Sequence, residues 1–107
     1  MTFVKICGIT SLGDALAAVN LGASAVGFVF WPDSPRYIDP DRAAAIARAL
    51  PSSVKAVGVF VNQARDEVNA VAARVGLGAV QLHGDEPAEY AAAMTHPVIK
   101  AVALGGS

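Results

Sequence analysis

Short apolar runs return along this chain at a regular spacing, and that rhythm restricts the fold more than any other feature. The runs are residues 3–9, 25–31, 55–61, 79–83 and 98–104, each rich in Val, Ile, Phe or Leu. Most are continuous rather than alternating, which is the pattern of strands covered on both faces in a parallel sheet. Alanine-rich stretches of helical character fill the gaps, at 12–21, 40–50, 63–75 and 87–94. In the first of these, Leu12, Leu16 and Val19 share one helical face, with Ala15 beside them. The predicted order is β-α-β-α-β-α-β-α-β.

Start and stop signals agree with that order. Ser11 followed by Asp14 resembles a capping box. Asp39 before Pro40 reads as an N-cap with proline at the first helical position. Asn62 is a candidate cap for the third helix, and the fourth is expected to begin near Asp85 to Pro87. Asp14 and Asp85, like Asp39, are read most simply as caps. Gly22 and Gly76 follow the first and third helices as C-cap glycines, and Pro51 follows the second. Gly22-Ala23-Ser24-Ala25-Val26 and Gly76-Leu77-Gly78-Ala79-Val80 are similar junctions, so the βα unit repeats in sequence.

Composition removes several function classes. With 54% hydrophobic and 16% charged residues among 107, the chain is neither a disordered tail nor an acidic linker. A net charge of −1 gives no electrostatic reason to bind nucleic acid. One cysteine forms no internal disulfide. No signal-peptide core and no apolar run of about 18 residues is present, so the expectation is a cytoplasmic protein with no membrane partner. Alanine supplies about a fifth of the chain, and aromatics 7%. That predicts a core of many small contacts rather than a few large rings.

Two α/β architectures fit. One is a doubly wound sheet, for which five strands are a complete fold. The other is a (β/α)8 TIM barrel, for which five parallel strands and four helices are a partial barrel. The turn after the first strand, Cys7-Gly8-Ile9-Thr10, has neither G-x-G-x-x-G nor a P-loop, so nucleotide binding is weakly supported.

In both architectures the functional groups lie at the carboxyl ends of the strands. The polar candidates there are Lys5, Cys7, Ser34, Arg36, Asn62, Gln81, His83 and Asp85. Residues two apart on a strand share a face. Lys5 pairs with Cys7 in this way, and Gln81 with His83. Their polar faces suit a barrel interior, with Cys7 and His83 near one rim. Each has a plainer alternative: Cys7 as a small buried hydrophobe, His83 as a strand-end histidine, Arg36 as a solvated surface arginine. Gly8 after Cys7 favours an exposed thiol. The long loop 31–37 carries two prolines and presents Arg36, a planar fork suited to a carboxylate or phosphate. Trp31 and Tyr37 fit either packing or a wall for an aromatic substrate. His83 and His96 lie apart without metal-ligand spacing, so no metal site is expected.

Residues 4–10, Val4-Lys5-Ile6-Cys7-Gly8-Ile9-Thr10, resemble the opening of the phosphoribosylanthranilate isomerase family of tryptophan biosynthesis. Ala25-Val26-Gly27-Phe28-Val29-Phe30, Ser34-Pro35-Arg36-Tyr37-Ile38, Val57-Gly58-Val59-Phe60-Val61-Asn62 and Val80-Gln81-Leu82-His83-Gly84-Asp85-Glu86 fit the same family in the same order. The resemblance covers essentially the whole chain. It implies a (β/α)8 barrel and an Amadori rearrangement that converts an aminoaldose, N-(5-phosphoribosyl)anthranilate, into an aminoketose. It implies no cofactor, because the imine intermediate is itself the electron sink. It matches Cys7 to the general base, Arg36 to the group holding the anthranilate carboxylate, and His83 to a wall of the substrate site. A thiol serves as a base near neutrality where its surroundings favour the thiolate.

The family's general acid is an aspartate on the sixth strand, and its phosphate site follows strands seven and eight. The sequence stops at Ser107 after the fifth strand, so the expectation is one partial-barrel domain over residues 1–107, with little turnover by itself. The expected partners are a small phosphorylated sugar-anthranilate, and a second copy or a complementing C-terminal half. Two other readings stand beside this one. The first is a non-catalytic half-barrel with open edges and an exposed apolar inner face, which self-associates. The second is a doubly wound binding module, distinguishable by strand order.

Overall fold

The computed structural model describes residues 4–84 and 86–100. Its elements in chain order are β1 (Lys5–Cys7), α1 (Leu12–Asn20), β2 (Ala25–Val29), α2 (Pro40–Ala49), β3 (Lys55–Phe60), α3 (Arg65–Val75), β4 (Ala79–Leu82), α4 (Ala88–Ala92) and β5 (Val98–Lys100). Phe3, Asp85 and residues 101–104 of the last apolar run lie outside the described residues.

The strands form one parallel sheet in the order β1-β2-β3-β4-β5. Each strand therefore neighbours the next in sequence, as around a barrel. A doubly wound sheet would place β1 inside, so that alternative is overturned. The arc is a part of a (β/α)8 barrel, five strands and four helices long.

Strand alternation sorts the side chains. Val26, Phe28, Phe60, Val80 and Leu82 face the helices and are fully buried against Ala15, Ala18, Ala43, Ala72 and Val68. The helices contribute the small contacts expected from the alanine content. The sheet contributes rings after all: Phe30 lies 6.4 Å from Phe28 and stacks on Phe60 at 5.3 Å between centroids. On the other face Ala25, Val57 and Ala79 form a separate small layer. Val57 is only 1% exposed. The expectation of an exposed apolar inner face is corrected, because the curl of the arc covers it. Among the described residues the exposed large apolar groups are instead Leu12, Leu16 and Leu21 on and just after α1, Val4 before β1, Ile99 on β5, and Trp31 and Tyr37 in the loop before α2. The leucine stripe of α1 thus faces outward, and the smaller Ala15 and Ala18 let α1 sit close to the sheet.

Caps set the connections. Ser11 Oγ accepts from the Asp14 backbone N–H at 3.1 Å. Ser11 is thus the cap, while the Asp14 carboxylate accepts from Thr10 Oγ1. Asp39 caps α2 by accepting from the N–H groups of Asp41 and Arg42. The similar glycine junctions form the same turn twice. Ala23 N–H donates to Ala18 O and Leu77 N–H to Ala72 O, each after a glycine of positive φ.

One helix start and one helix end differ from expectation. Asn62 does not cap α3, which begins at Arg65 with Ala64 at its N-cap. Asn62 is left-handed, with φ of 52°, and its N–H is taken by Glu86 Oε2 at 2.8 Å. Gln63 turns back to accept from Val61 N–H and to donate to Phe30 O. These bonds hold residues 62–63 out of the helix. The start of α4 lies at Ala88 after Pro87, and the helix ends at Ala92 rather than 94.

Candidate active site

The carboxyl end of β1 turns sharply. Gly8 has φ of 82°, and the N–H groups of Gly8 and Ile9 both donate to Gly27 O at 3.0 Å. The turn leaves the Cys7 thiol exposed at the strand end, not buried as a small hydrophobe. Cys7 stands in register with Gly27 of β2. A Cβ at Gly27 would lie 2.7 Å from Cys7 Sγ, so only glycine admits the sulfur there.

Arg36 arrives from the loop between β2 and α2. That loop is tied by Ser34 N–H to Trp31 O, Tyr37 N–H to Ser34 O, and Arg36 N–H to Ser34 Oγ. Tyr37 bridges to Val29, and Ile38 N–H donates to Val29 O, so the loop returns to the sheet edge before α2. The Arg36 side chain lies across Gly8: a Cβ there would meet Arg36 Cδ at 2.6 Å and Nη1 at 2.9 Å. Two glycines thus make room, Gly27 for the thiol and Gly8 for the Arg36 side chain. Both line a cleft of about 490 Å³, with Ile6 of β1 and Ala17, Ala18 and Leu21 of the α1 segment. Trp31 and Tyr37 are exposed on the same loop and are not in that lining.

His83 follows β4, its N–H donating to Phe60 O at 2.9 Å. It is exposed and is not part of the cleft lining. It reaches β1 by another route. His83 Nε2 lies 2.7 Å from Gln81 Nε2, and Gln81 Oε1 accepts from Lys5 Nζ. In a flat sheet, strands three apart would stand about 14 Å from one another with parallel side chains. The curl of the arc makes the Lys5 and Gln81 side chains converge. The two faces paired by alternation, Lys5 with Cys7 and Gln81 with His83, are thus one inner surface.

Three contributors were not among the sequence candidates. Glu86 is buried while holding Asn62. Gln63 links the ends of β2 and α3 through Phe30 O and Glu67. The Tyr90 hydroxyl donates to Gln63 O, and burial, then Glu86 and Glu67, push its pKa above the ordinary 10.0. In the sequence this region was marked by Asn62, as a strand-end polar residue and candidate cap, and by Glu86 at the end of the motif 80–86. Asp85 lies outside the described residues. Among the described residues no three His, Cys, Asp or Glu side chains cluster as metal ligands, and no helix is long and apolar enough to cross a membrane.

The sequence model of the family described as N-(5'-phosphoribosyl)anthranilate isomerase matches residues 4–107. The chain belongs to this isomerase family. It is 56% identical over 101 residues to the N-(5'-phosphoribosyl)anthranilate isomerase of Geobacter metallireducens, covering 94% of this chain and 50% of that relative. The crystal structure of phosphoribosyl anthranilate isomerase from Thermotoga maritima superposes with a TM-score of 0.93 at 54% identity, over 95% of this chain and 51% of that one. A structure of the isomerase in complex with reduced 1-(o-carboxyphenylamino)-1-deoxyribulose 5-phosphate also gives a TM-score of 0.93 at 54% identity, over 95% of this chain and 54% of that one. The chain spans about half the length of the curated relatives it matches. Family membership and the sequential strand order agree on the barrel architecture.

Proposed function

We propose that residues 1–107 form one partial-barrel domain carrying the base side of an N-(5'-phosphoribosyl)anthranilate isomerase site in tryptophan biosynthesis. The observation that carries this is that Cys7 and Arg36, the latter laid across Gly8, line one cleft at the carboxyl end of β1. The reaction opens the furanose when an acid protonates the ring oxygen and the bond from that oxygen to C1′ breaks, leaving an imine. Cys7, as thiolate, then removes the proton from C2′. The C2′–H electrons move into the imine to give an enolamine. Loss of the C2′ hydroxyl proton and protonation at C1′ complete the aminoketose. The Arg36 fork holds the anthranilate carboxylate through paired N–H bonds, which fixes C2′ relative to the sulfur. His83 forms part of the opposite wall. In this reading the acid and the phosphate site come from a complementing C-terminal half, and no cofactor takes part. The thiol role requires a reducing compartment, the cytoplasm.

The test completes the barrel. The part of the Geobacter metallireducens relative beyond its matched residues is fused after residue 107, and substrate consumption is followed by loss of anthranilate-sugar fluorescence. Turnover is expected, with Cys7→Ala losing about 10²- to 10⁴-fold in kcat and little in KM. A folded fusion without turnover, or full kcat in Cys7→Ala, overturns the reading.

A further inference from the structure

The chain of side chains on the inner face has a direction, and the direction fixes a proton. Gln81 is buried and sits between Lys5 and His83, touching both. A lysine ammonium has three donors and no acceptor. Gln81 must therefore turn its carbonyl oxygen toward Lys5, since the amide NH₂ would set donor against donor. That leaves the NH₂ toward His83 Nε2, at 2.7 Å. An amide nitrogen only donates, so His83 Nε2 must accept and carries no proton. The remaining nitrogen, Nδ1, then bears the hydrogen of the neutral ring.

We infer that Lys5 and Gln81 are positioning residues that hold His83 as the neutral Nδ1–H tautomer, so that it presents a donor and not an acceptor to a ligand at the rim. The tautomer is the less populated one for an unconstrained histidine, so exposure of His83 to solvent does not produce it. The consequence for ligand choice is specific. A neutral N–H donor suits a carboxylate, a phosphate oxygen or a sugar hydroxyl oxygen, and gives nothing to a ligand that can only donate. Lys5 acts here without touching the ligand, through the orientation of one amide. That His83 meets substrate rests on the function proposed above, whereas the tautomer does not.

The test reads the proton directly. The 107-residue chain is labelled with ¹⁵N-histidine, and the His83 signals are assigned by their loss in His83→Asn; only His96 competes. At neutral pH a pyrrole-type Nδ1 and a pyridine-type Nε2 are expected for His83. Lys5→Met frees the amide to flip, and the Nε2–H form is expected to appear. Lys5→Arg, also a pure donor, is expected to keep the wild-type pattern. Gln81→Glu presents a carboxylate that can only accept, while still pairing with Lys5, and is expected to move the proton to Nε2. A wild-type ring protonated on Nε2, or a pattern unchanged in Gln81→Glu, overturns the inference. The same Gln81→Glu change in the completed barrel is expected to raise KM more than it lowers kcat. Failure of the tautomer measurement leaves the Cys7 test standing, and failure of turnover leaves the tautomer measurement standing.

Discussion

Two glycines decide where the Cys7 thiol and the Arg36 side chain sit. At Gly27 the neighbouring sulfur occupies the space of a side chain, and at Gly8 the Arg36 stem does. Gly27→Ala adds one carbon 2.7 Å from Cys7 Sγ, and the thiol must swing away. Misplacing a reacting group by about 1 Å costs on the order of 10²-fold in rate. The completed barrel carrying Gly27→Ala is therefore expected to lose about that much kcat while circular dichroism shows an unchanged fold. Retention of full kcat would mean the sulfur position is not critical. Arg36 sorts differently. If Arg36 holds the anthranilate carboxylate as proposed, Arg36→Ala is expected to raise KM by roughly 10- to 100-fold, since a charge-assisted pair made in both ground and transition states is lost. Arg36→Lys should recover part of this, because a point charge replaces a fork. Steady-state kinetics on the two variants separates the outcomes, and an effect confined to kcat would remove Arg36 from the carboxylate role.

Elements depend on their ends. The Asp39 cap on α2 is worth about 1 kcal/mol by comparison with other N-caps, so Asp39→Ala is expected to lower the urea midpoint accordingly. The short α4 has no side-chain cap of its own. It is anchored by the Tyr90 hydroxyl on Gln63 O and by Asn69 Nδ2 on Ala93 O, and Tyr90→Phe is expected to cost about 1 kcal/mol. Because Tyr90 titrates above its ordinary 10.0 when folded, ionisation opposes folding. This contribution is intact below pH 10 and is lost as pH rises through the raised value. Urea midpoints measured from pH 8 to 11.5 should fall at the alkaline end in wild type and fall less in Tyr90→Phe; equal falls would assign the loss elsewhere. The start of α3 shows what was legible beforehand and what was not. Apolar rhythm, Asp39-Pro40 and the two glycine junctions are local signals, and each holds in the structure. The left-handed Asn62 is not local. It depends on Glu86, 24 positions away, and on Gln63 reaching Phe30 O, 33 positions away. Likewise alternation placed Lys5 and Gln81 on inner faces, but their contact across 76 positions exists only because the arc curls.

At the scale of the whole molecule the inner face of the arc is buried while apolar groups beside β1 are exposed, among the described residues. Val57 and Ala79 are shielded, whereas Leu12 and Leu16 are each 44% exposed and Leu21 is 80% exposed beside the β1 edge. The leucine stripe of α1 was legible as a helical face, but its direction was not. Spacing shows which residues share a face, and only packing shows that Ala15 and Ala18 take the inner side. A β1 edge without a described neighbour and a leucine face next to it favour contact with another chain. The patch is small, and association must also offset lost rotational and translational freedom. Binding near the micromolar range is therefore the expectation for the 107-residue chain by itself. Sedimentation velocity from about 1 to 100 μM should show a concentration-dependent shift to dimer or larger species. Leu16→Glu with Leu21→Glu should return it to monomer, and helical content should persist because both side chains already meet solvent. On the proposed reading, in which the acid comes from a complementing half, the fluorescence assay should find no turnover in either state. A wild-type chain that stays monomeric across that range would remove the leucine face as a contact surface, and turnover by the isolated chain would show that the described arc holds the complete site.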